Sequence, residues 1–375
     1  MESNLIIQFR PSSEIVAIYW LINWIINTYI ANADNYPTIF VSFSTYVNRK
    51  ISDFCIKTVI ITQMITYLGL DLGGTKLLIG EISSDGVVLN HKRYDSGYLG
   101  QEKALDFIQE SVDDYIATVG WRQGGPEAIG VGMIGRVDST NGVWYQIDSN
   151  RCVELEIAKV LSHRYGLPCY ADNDVKSATK AEMLWGIGKV SSNFIYLNIG
   201  TGIASGAVIE GKLLKGASFN AGETGHMVSG VRLGLRCCCG REDCVELIAS
   251  GSGIDASARA LFGRYRTELT IPEIPQRVDV RKVVSLAASG DELCGVLIEN
   301  AAQAAAGLIM DLVRCYDPDT IVLGGGIVSD DSVFNRIIEH IDTYTIRFVK
   351  NGIVRTSLNP NFAGLLGAAA NALVK

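Results

Sequence analysis

The sequence predicts an α/β fold built twice over, as two lobes around a central cleft. Three observations carry that expectation. A strand, a glycine turn and a returning strand are written between Tyr67 and Ile82. The same design recurs from Ile195 to Gly206, and a third glycine run follows the apolar strand Thr320–Leu323. Stretches with helical apolar spacing, Lys103–Val119, Leu155–Tyr165 and Gly295–Val313, lie between and around these units.

Length supports two lobes. The 375 residues exceed one domain of about 100–200 residues. We expect a small lobe over 64–178, a large lobe over 179–363, and a closing helix over 364–375. Hydrophobic residues make up 48% and charged residues 19%, with 39 glycines and 8 prolines, which excludes disorder and collagen-like structure. The formal net charge of -7, with no long basic run, argues against a nucleic-acid binder held by phosphate contacts. Nine cysteines, four of them within Cys237–Cys244, suggest a metal site in a reducing, cytoplasmic setting rather than a disulfide scaffold.

Residues 1–63 read differently. Ile15–Ala33 carries no charge over 19 residues, close to the roughly 20 that cross a bilayer. Asn23, Asn27, Thr28 and Asn32 interrupt that run and neither flank is clearly basic. Met64 opens directly onto the first strand. We therefore read 1–63 as an upstream translated extension, with a membrane anchor as the second reading. No membrane segment is expected over 64–375.

The first glycine turn is Asp71-Leu-Gly73-Gly74-Thr75-Lys76, with Asp85-Gly86 as a hairpin signal beyond it. Gly73 and Gly74 let backbone N–H groups approach an anion, and Asp71 at the strand end suits a hydrated magnesium ion. Thr75 and Lys76 add a hydroxyl and a positive charge. An ordinary tight hairpin fits this stretch alone. The repeat changes that balance. Asn198 falls where Asp71 falls and Gly200 where Gly73 falls, followed by Thr201, Gly202 and a second turn at Glu210-Gly211. Two such loops facing across a cleft suit the phosphates of a nucleotide. Gly324, Gly325 and Gly326 suit close approach by an adenine or ribose, or serve as a plain strand-to-helix connection.

A metal set follows. Ten residues intervene between His226 and Cys237, one between Cys237 and Cys239, and four between Cys239 and Cys244. One imidazole and three thiolates fit a closed, structural zinc site, with Cys238 pointing away. Cys55, Cys152, Cys169, Cys294 and Cys315 show no pairing pattern, and His91, His163 and His340 have no nearby metal partners. A catalytic carboxylate is expected where the short buried strand read over Leu167–Val175 ends in polar side chains, before a helix starting near Lys176 with Ala178, Ala181 and Leu184 as its apolar positions. Asp172 and Asp174 both qualify, and one of them can be a helix cap.

Taken in order, Asp71-Leu-Gly-Gly-Thr-Lys76, Asn173-Asp174, Gly200-Thr-Gly202, Glu223-Thr-Gly-His226 and Cys237–Glu246 resemble the ROK family (repressors, open reading frames and kinases) of the actin-like, ribonuclease H-like ATPase superfamily. The resemblance covers essentially all of 64–375. It implies an ATP- and Mg2+-dependent kinase of a hexose or N-acetylhexosamine, glucokinase-like and acting at the 6-hydroxyl, with bound zinc and a homodimeric assembly. It also implies that Asp174 is the general base and that Asn173, Glu223 and Glu246 bind the sugar. His226 would both ligate zinc and touch the substrate, and Gly135 would belong to the sugar-side loop. The closing helix would pack back on the first lobe.

Three positions depart from the family pattern. Asp243 stands where glycine is usual, implying a slight distortion of the zinc turn. Ala204 and Ser205 replace glycines of the second phosphate loop, implying crowding there, and Met133-Ile134 replaces a proline-glycine-like turn on the sugar side. The same family includes sugar-responsive transcriptional regulators without kinase activity, which is the alternative reading. Four basic groups in 1–63 make that segment a poor DNA reader.

Overall fold

The computed structural model describes residues 64–97, 100–146 and 154–374. The readings made for 1–63, with Cys55, and for Cys152 lie outside these residues. Strands β1 (Thr66–Leu72), β2 (Lys76–Ser83) and β3 (Val88–Asp95) form an antiparallel meander, followed by helix α1 (Gln101–Thr118). Strands β4 (Ala128–Met133), β5 (Arg136–Asp138) and β6 (Val143–Gln146) come next, then α2 (Ile157–Tyr165), β7 (Cys169–Asn173) and α3 (Asp174–Trp185). The second half repeats the meander with β8 (Phe194–Ile199), β9 (Ile203–Ile209) and β10 (Lys212–Leu213). It continues with α4 (Val245–Ala249), α5 (Gly251–Leu261), α6 (Val280–Ala288), α7 (Glu292–Tyr316), β11 (Thr320–Gly324), α8 (Asp331–Glu339), β12 (Ile353–Arg355) and α9 (Ala363–Leu373).

Sheet order makes the duplication explicit. The first sheet runs β3-β2-β1-β4-β7 and the second β10-β9-β8-β11-β12. In each, two antiparallel hairpin pairings adjoin two parallel ones, so β1 corresponds to β8 and β4 to β11. Parallel pairing demands a crossover, which α1 supplies before β4 and the helices α4–α7 supply before β11. The inner strands are apolar on both faces, as burial between helices requires: β4 is buried at every position.

The central strands place their polar residues at the carboxyl ends. Asp71 pairs with Gly132 and Gly132 with Asp172, while Asn198 pairs with Gly324. Among the described residues α7 is long and apolar enough to cross a membrane by length and composition. Its Ala301, Ala305, Leu308, Ile309 and Leu312 are instead part of the second-lobe core.

Helix α9 packs on β1, β4 and α3. The approach is close because it is backbone on backbone: a Cβ at Gly130 would collide with the Ala368 carbonyl, and one at Gly367 would stand 2.7 Å from the Ala178 nitrogen. Helix α3 runs unbroken across position 178 and packs against both α9 and β9, so a lobe boundary there falls within a helix. Beneath α3 lies a buried polar network. Lys180 Nζ is 2.9 Å from Asp172 Oδ2, with side chains 5% and 1% exposed, and donates to Asn371 Oδ1 at 2.9 Å. Asn371 Nδ2 donates to Val131 O (2.9 Å) and Ser177 Oγ (2.8 Å). Removing one partner of such a pair leaves an uncompensated buried charge. Asp172→Ala should therefore lower stability by about 3–5 kcal/mol in urea denaturation. The double variant Asp172→Ala, Lys180→Met should recover part of that loss.

Candidate active site

The first phosphate-loop candidate is tied by its own backbone: Gly73 N–H donates to Lys76 O at 2.9 Å. Gly74, Thr75 and Lys76 are exposed at its rim, and Asp71 sits half-buried behind them. Burial pushes the Asp71 carboxyl up to about 6, with the Lys76 charge opposing. Its carboxylate lies against the first turn of α9, where a Cβ on Gly364 would collide with it. An oxygen ligand withdrawn from water in this way fits a hydrated Mg2+.

The second loop is held more tightly. Gly200 N–H donates to Gly202 O (3.0 Å), and the carbonyls of Gly200 and Thr201 accept from Gly251 N–H (2.8 Å) and Ser252 N–H (3.1 Å) at the head of α5. Glu246 Oε2 accepts from Ile203 N–H at 2.8 Å and lies below Gly202, where a Cβ would stand 2.7 Å from it. Gly325, at φ +94°, closes on the Ile199 carbonyl so tightly that a Cβ would collide. A cavity of about 720 Å³ opens here. Asn198, Gly200, Thr201, Gly325 and Gly326 form its floor side, and Val280, Val284 and Ile327 give it apolar wall. Gly324 backs onto the ring of buried Tyr196 and does not line this space.

Asp279 and Asp330 also line it, and each caps a helix that begins at the cavity edge. Asp279 accepts from Arg281 N–H (3.0 Å) and Asp330 from Ser332 N–H (2.9 Å). Two helix N-termini beside a glycine-lined space favour an anion. Sequence reasoning missed residues 278–284 and 329–330. An aspartate directly before an apolar helical period, as at Asp279-Val280, was the available signal.

The strand-to-helix corner at β7 and α3 places the two carboxylates differently. Asp172 is fully buried and points to Lys180. Asp174 opens α3, with Oδ1 accepting from Val175 N–H at 2.9 Å. Neither is the helix cap. Asn173 is, its Oδ1 accepting from Val175 N–H (3.0 Å) and Lys176 N–H (3.2 Å). Its Nδ2 donates to the carbonyl of Gly135 (3.0 Å), a glycine at φ +90°. With both lone pairs and one N–H engaged, Asn173 has one N–H left for a ligand. Burial pushes the Asp174 carboxyl up to about 7, aided first by the Asp71 charge and then by Glu223, against the Val175 N–H. Asp71, Asp174 and Glu223 thus share one electrostatic neighbourhood.

Glu223 faces that neighbourhood from the short 3-10 turn Thr224–His226. Its Oε2 is 3.9 Å from His226 Nε2, while the other ring nitrogen, Nδ1, is 3.4 Å from Cys237 Sγ. Donor atoms of His226, Cys237, Cys239 and Cys244 all lie within 4.8 Å of one another, and Cys239 Sγ is 3.5 Å from Cys244 Sγ. These separations suit the edges of a zinc tetrahedron. Cys238 is exposed beside them.

The three departures are absorbed locally. Asp243 takes the left-handed backbone of a glycine (φ 52°), and its carboxylate accepts from Gly234 N–H (3.1 Å) and Leu235 N–H (2.8 Å). Ser205 is buried and its hydroxyl accepts from Thr224 Oγ1 at 3.2 Å. Met133 is core, and Ile134 O accepts from Trp144 Nε1 at 3.0 Å.

Comparison with known proteins identifies relatives of the whole of this region. The chain is 27% identical over 319 residues to a glucokinase of Thermotoga maritima, covering 81% of this chain and 96% of the relative. It is 28% identical over 308 residues to an N-acetylmannosamine kinase of Escherichia coli O6:H1, covering 81% and 97%. The solved ROK hexokinase of Thermus thermophilus superposes with a TM-score of 0.64 at 28% identity, covering 82% of this chain and 97% of that one. A solved ROK transcriptional regulator, a homolog of the E. coli MLC protein, is alike in fold at TM-score 0.68 and 23% identity, covering 82% and 77%. The sequence model of the ROK family matches residues 67–375. This chain belongs to the ROK family, and its two lobes have the actin-like fold of ROK sugar kinases.

Proposed function

We propose that this chain transfers the γ-phosphoryl group of ATP to a hydroxyl, the 6-hydroxyl, of a hexose or N-acetylhexosamine. One observation carries the reading: a carboxyl at the head of α3, Asp174, is held near neutrality beside a second carboxyl, Asp71, at the end of the phosphate-loop strand. A base poised near the working pH can accept the proton of an attacking alcohol as the new bond forms. The relatives named as sugar kinases support the same chemistry.

The roles divide by position. Asp174 accepts the hydroxyl proton. Glu223, the free Nε2 face of His226, and the remaining N–H of Asn173 orient the sugar, with Gly135 shaping the loop beside it. Glu246 commits one oxygen to the Ile203 N–H, so it links the sugar side to the second phosphate loop. Asp71 would hold Mg2+, which supplies charge neutralisation on the transferring group. Backbone amides around Gly73–Lys76 and Gly200–Gly202 would steady the phosphates, and the cavity at Gly325–Gly326 would take adenine and ribose. Zinc would be held by Nδ1 of His226 and the three thiolates, leaving no open position, and so would brace the loop that presents Glu223. The alternative, a sugar-responsive regulator without kinase activity, rests on likeness of fold to the MLC homolog.

A coupled ADP-release assay across glucose, N-acetylmannosamine and N-acetylglucosamine tests the activity directly. Activity should rise with pH through about 7, because only the ionised Asp174 carboxylate can take the proton. Asp174→Asn should cost about 10²–10⁴ in kcat while sugar still binds in calorimetry. Near-normal turnover in that variant would place the base elsewhere, and operator binding with no ADP release would favour the regulator. Elemental analysis should find zinc bound to the purified chain, and Cys244→Ser should lose it together with several degrees of thermal midpoint.

A further inference from the structure

Helix α3 carries a second buried ammonium that takes no part in the chemistry above. Lys176 is 4% exposed, two residues after Asp174, and its Nζ donates to the backbone carbonyl of Phe219 at 2.7 Å. Phe219 lies in the loop joining β10 to Glu223 and adopts φ +57°, an unusual conformation for a residue with a Cβ. Local bonds hold that loop weakly at its tip: Phe219 N–H to Gly216 O is 3.4 Å and Ala221 N–H to Lys215 O is 3.3 Å. It is seated at its two ends, where Leu214 N–H donates to Ala207 O at 2.9 Å and Gly222 O accepts from Ser205 N–H at 2.8 Å and Thr224 N–H at 2.7 Å.

Burying an ammonium is costly, and a neutral side chain would fill the slot without that penalty. Burial pulls the Lys176 ammonium below its usual range, against the carboxylates of Asp172, Glu223 and Asp174, which favour the charge, while Lys180 opposes it. Two of those three carboxylates are the sugar-side groups assigned above. The ammonium therefore stands between the element that presents the base and the loop that presents Glu223, bonded to one and anchored in the other.

We propose that Lys176 is a positioning residue for the acceptor: it ties the tip of the 214–222 loop, and with it Glu223, to the helix turn that presents Asp174. The bond runs between a first-half helix and a second-half loop, so it fixes the distance between two groups that the duplicated sheets alone would leave to lobe movement. Acceptor geometry is where a small displacement is expensive, since misplacement by about 1 Å can cost 10²-fold. The phosphate loops make no contact through this lysine, so the nucleotide side should not sense its loss.

This inference rests on the kinase reading, and the test separates the two. In the full chain, Lys176→Met keeps length and removes the donor. With the sugar found in the panel assay, Lys176→Met should raise KM for sugar by about 10- to 100-fold and leave KM for ATP at the wild-type value. Parallel rises in both KM values, or an unchanged sugar KM, would overturn the proposal. Hydrogen exchange of peptides covering 214–226 needs no substrate: faster exchange in Lys176→Met supports the tie, and unchanged exchange overturns it. A wild-type chain that phosphorylates none of the sugars defeats the kinase reading while leaving the exchange result to stand.

Discussion

The structure depends on charges buried along a single helix. Helix α3 leaves the first sheet at Asn173, and in its first two turns it buries Lys176 and Lys180, side chains almost never found so deep without partners. Lys180 is neutralised by Asp172 and bonded to Asn371, which fastens α3 to β4 and α9. Lys176 reaches the other way, to the loop before Glu223. The turn that carries Asp174 is thus gripped from both sides. A greasy helix of the same length could pack equally well, but it could slide or rotate, because dispersion contacts have little directionality. Hydrogen-bonded charges in a dry interior have one acceptable arrangement, and that arrangement fixes Asp174.

Duplication explains the rest of the cleft, and one asymmetry between the halves is chemical. Both sheets end their central strand with an oxygen-bearing side chain before a glycine turn, but it is a carboxylate in the first (Asp71) and an amide in the second (Asn198). Two carboxylates there would place like charges on both flanks of a polyanionic ligand. One carboxylate can be matched by a cation, while the amide contributes a dipole with no net charge to repel phosphate. The second loop compensates by rigidity, its carbonyls being occupied by the head of α5.

Much of this was legible in the sequence, for identifiable reasons. Glycine turns beside Asp71 and Asn198 are visible because backbone geometry restricts which residues can stand there. The His/Cys cluster is visible because metal-ligand chemistry restricts spacing and residue type, and because His226, Cys237, Cys239 and Cys244 gather from one short stretch of chain. What escaped is what distant segments build jointly. Lys176 and Lys180 read as ordinary helix residues until Phe219 and Asn371 are placed beside them. The walls at 278–284 and 329–330 carry no distinctive composition, and only their helix caps mark them. Asn173 shows a subtler limit: its position in the motif was plain, but its commitment to capping α3 and holding Gly135 emerges only in three dimensions.

The contact between Asp71 and Gly364 has a consequence for biosynthesis. The metal-side carboxylate emerges early during translation, whereas the helix that completes its seat is made far later. Until α9 has cleared the ribosome and docked, the nascent polypeptide has an open flank where that carboxylate should rest. Catalytic competence therefore arrives with α9, and a truncation or bulky tag there acts directly on the cleft.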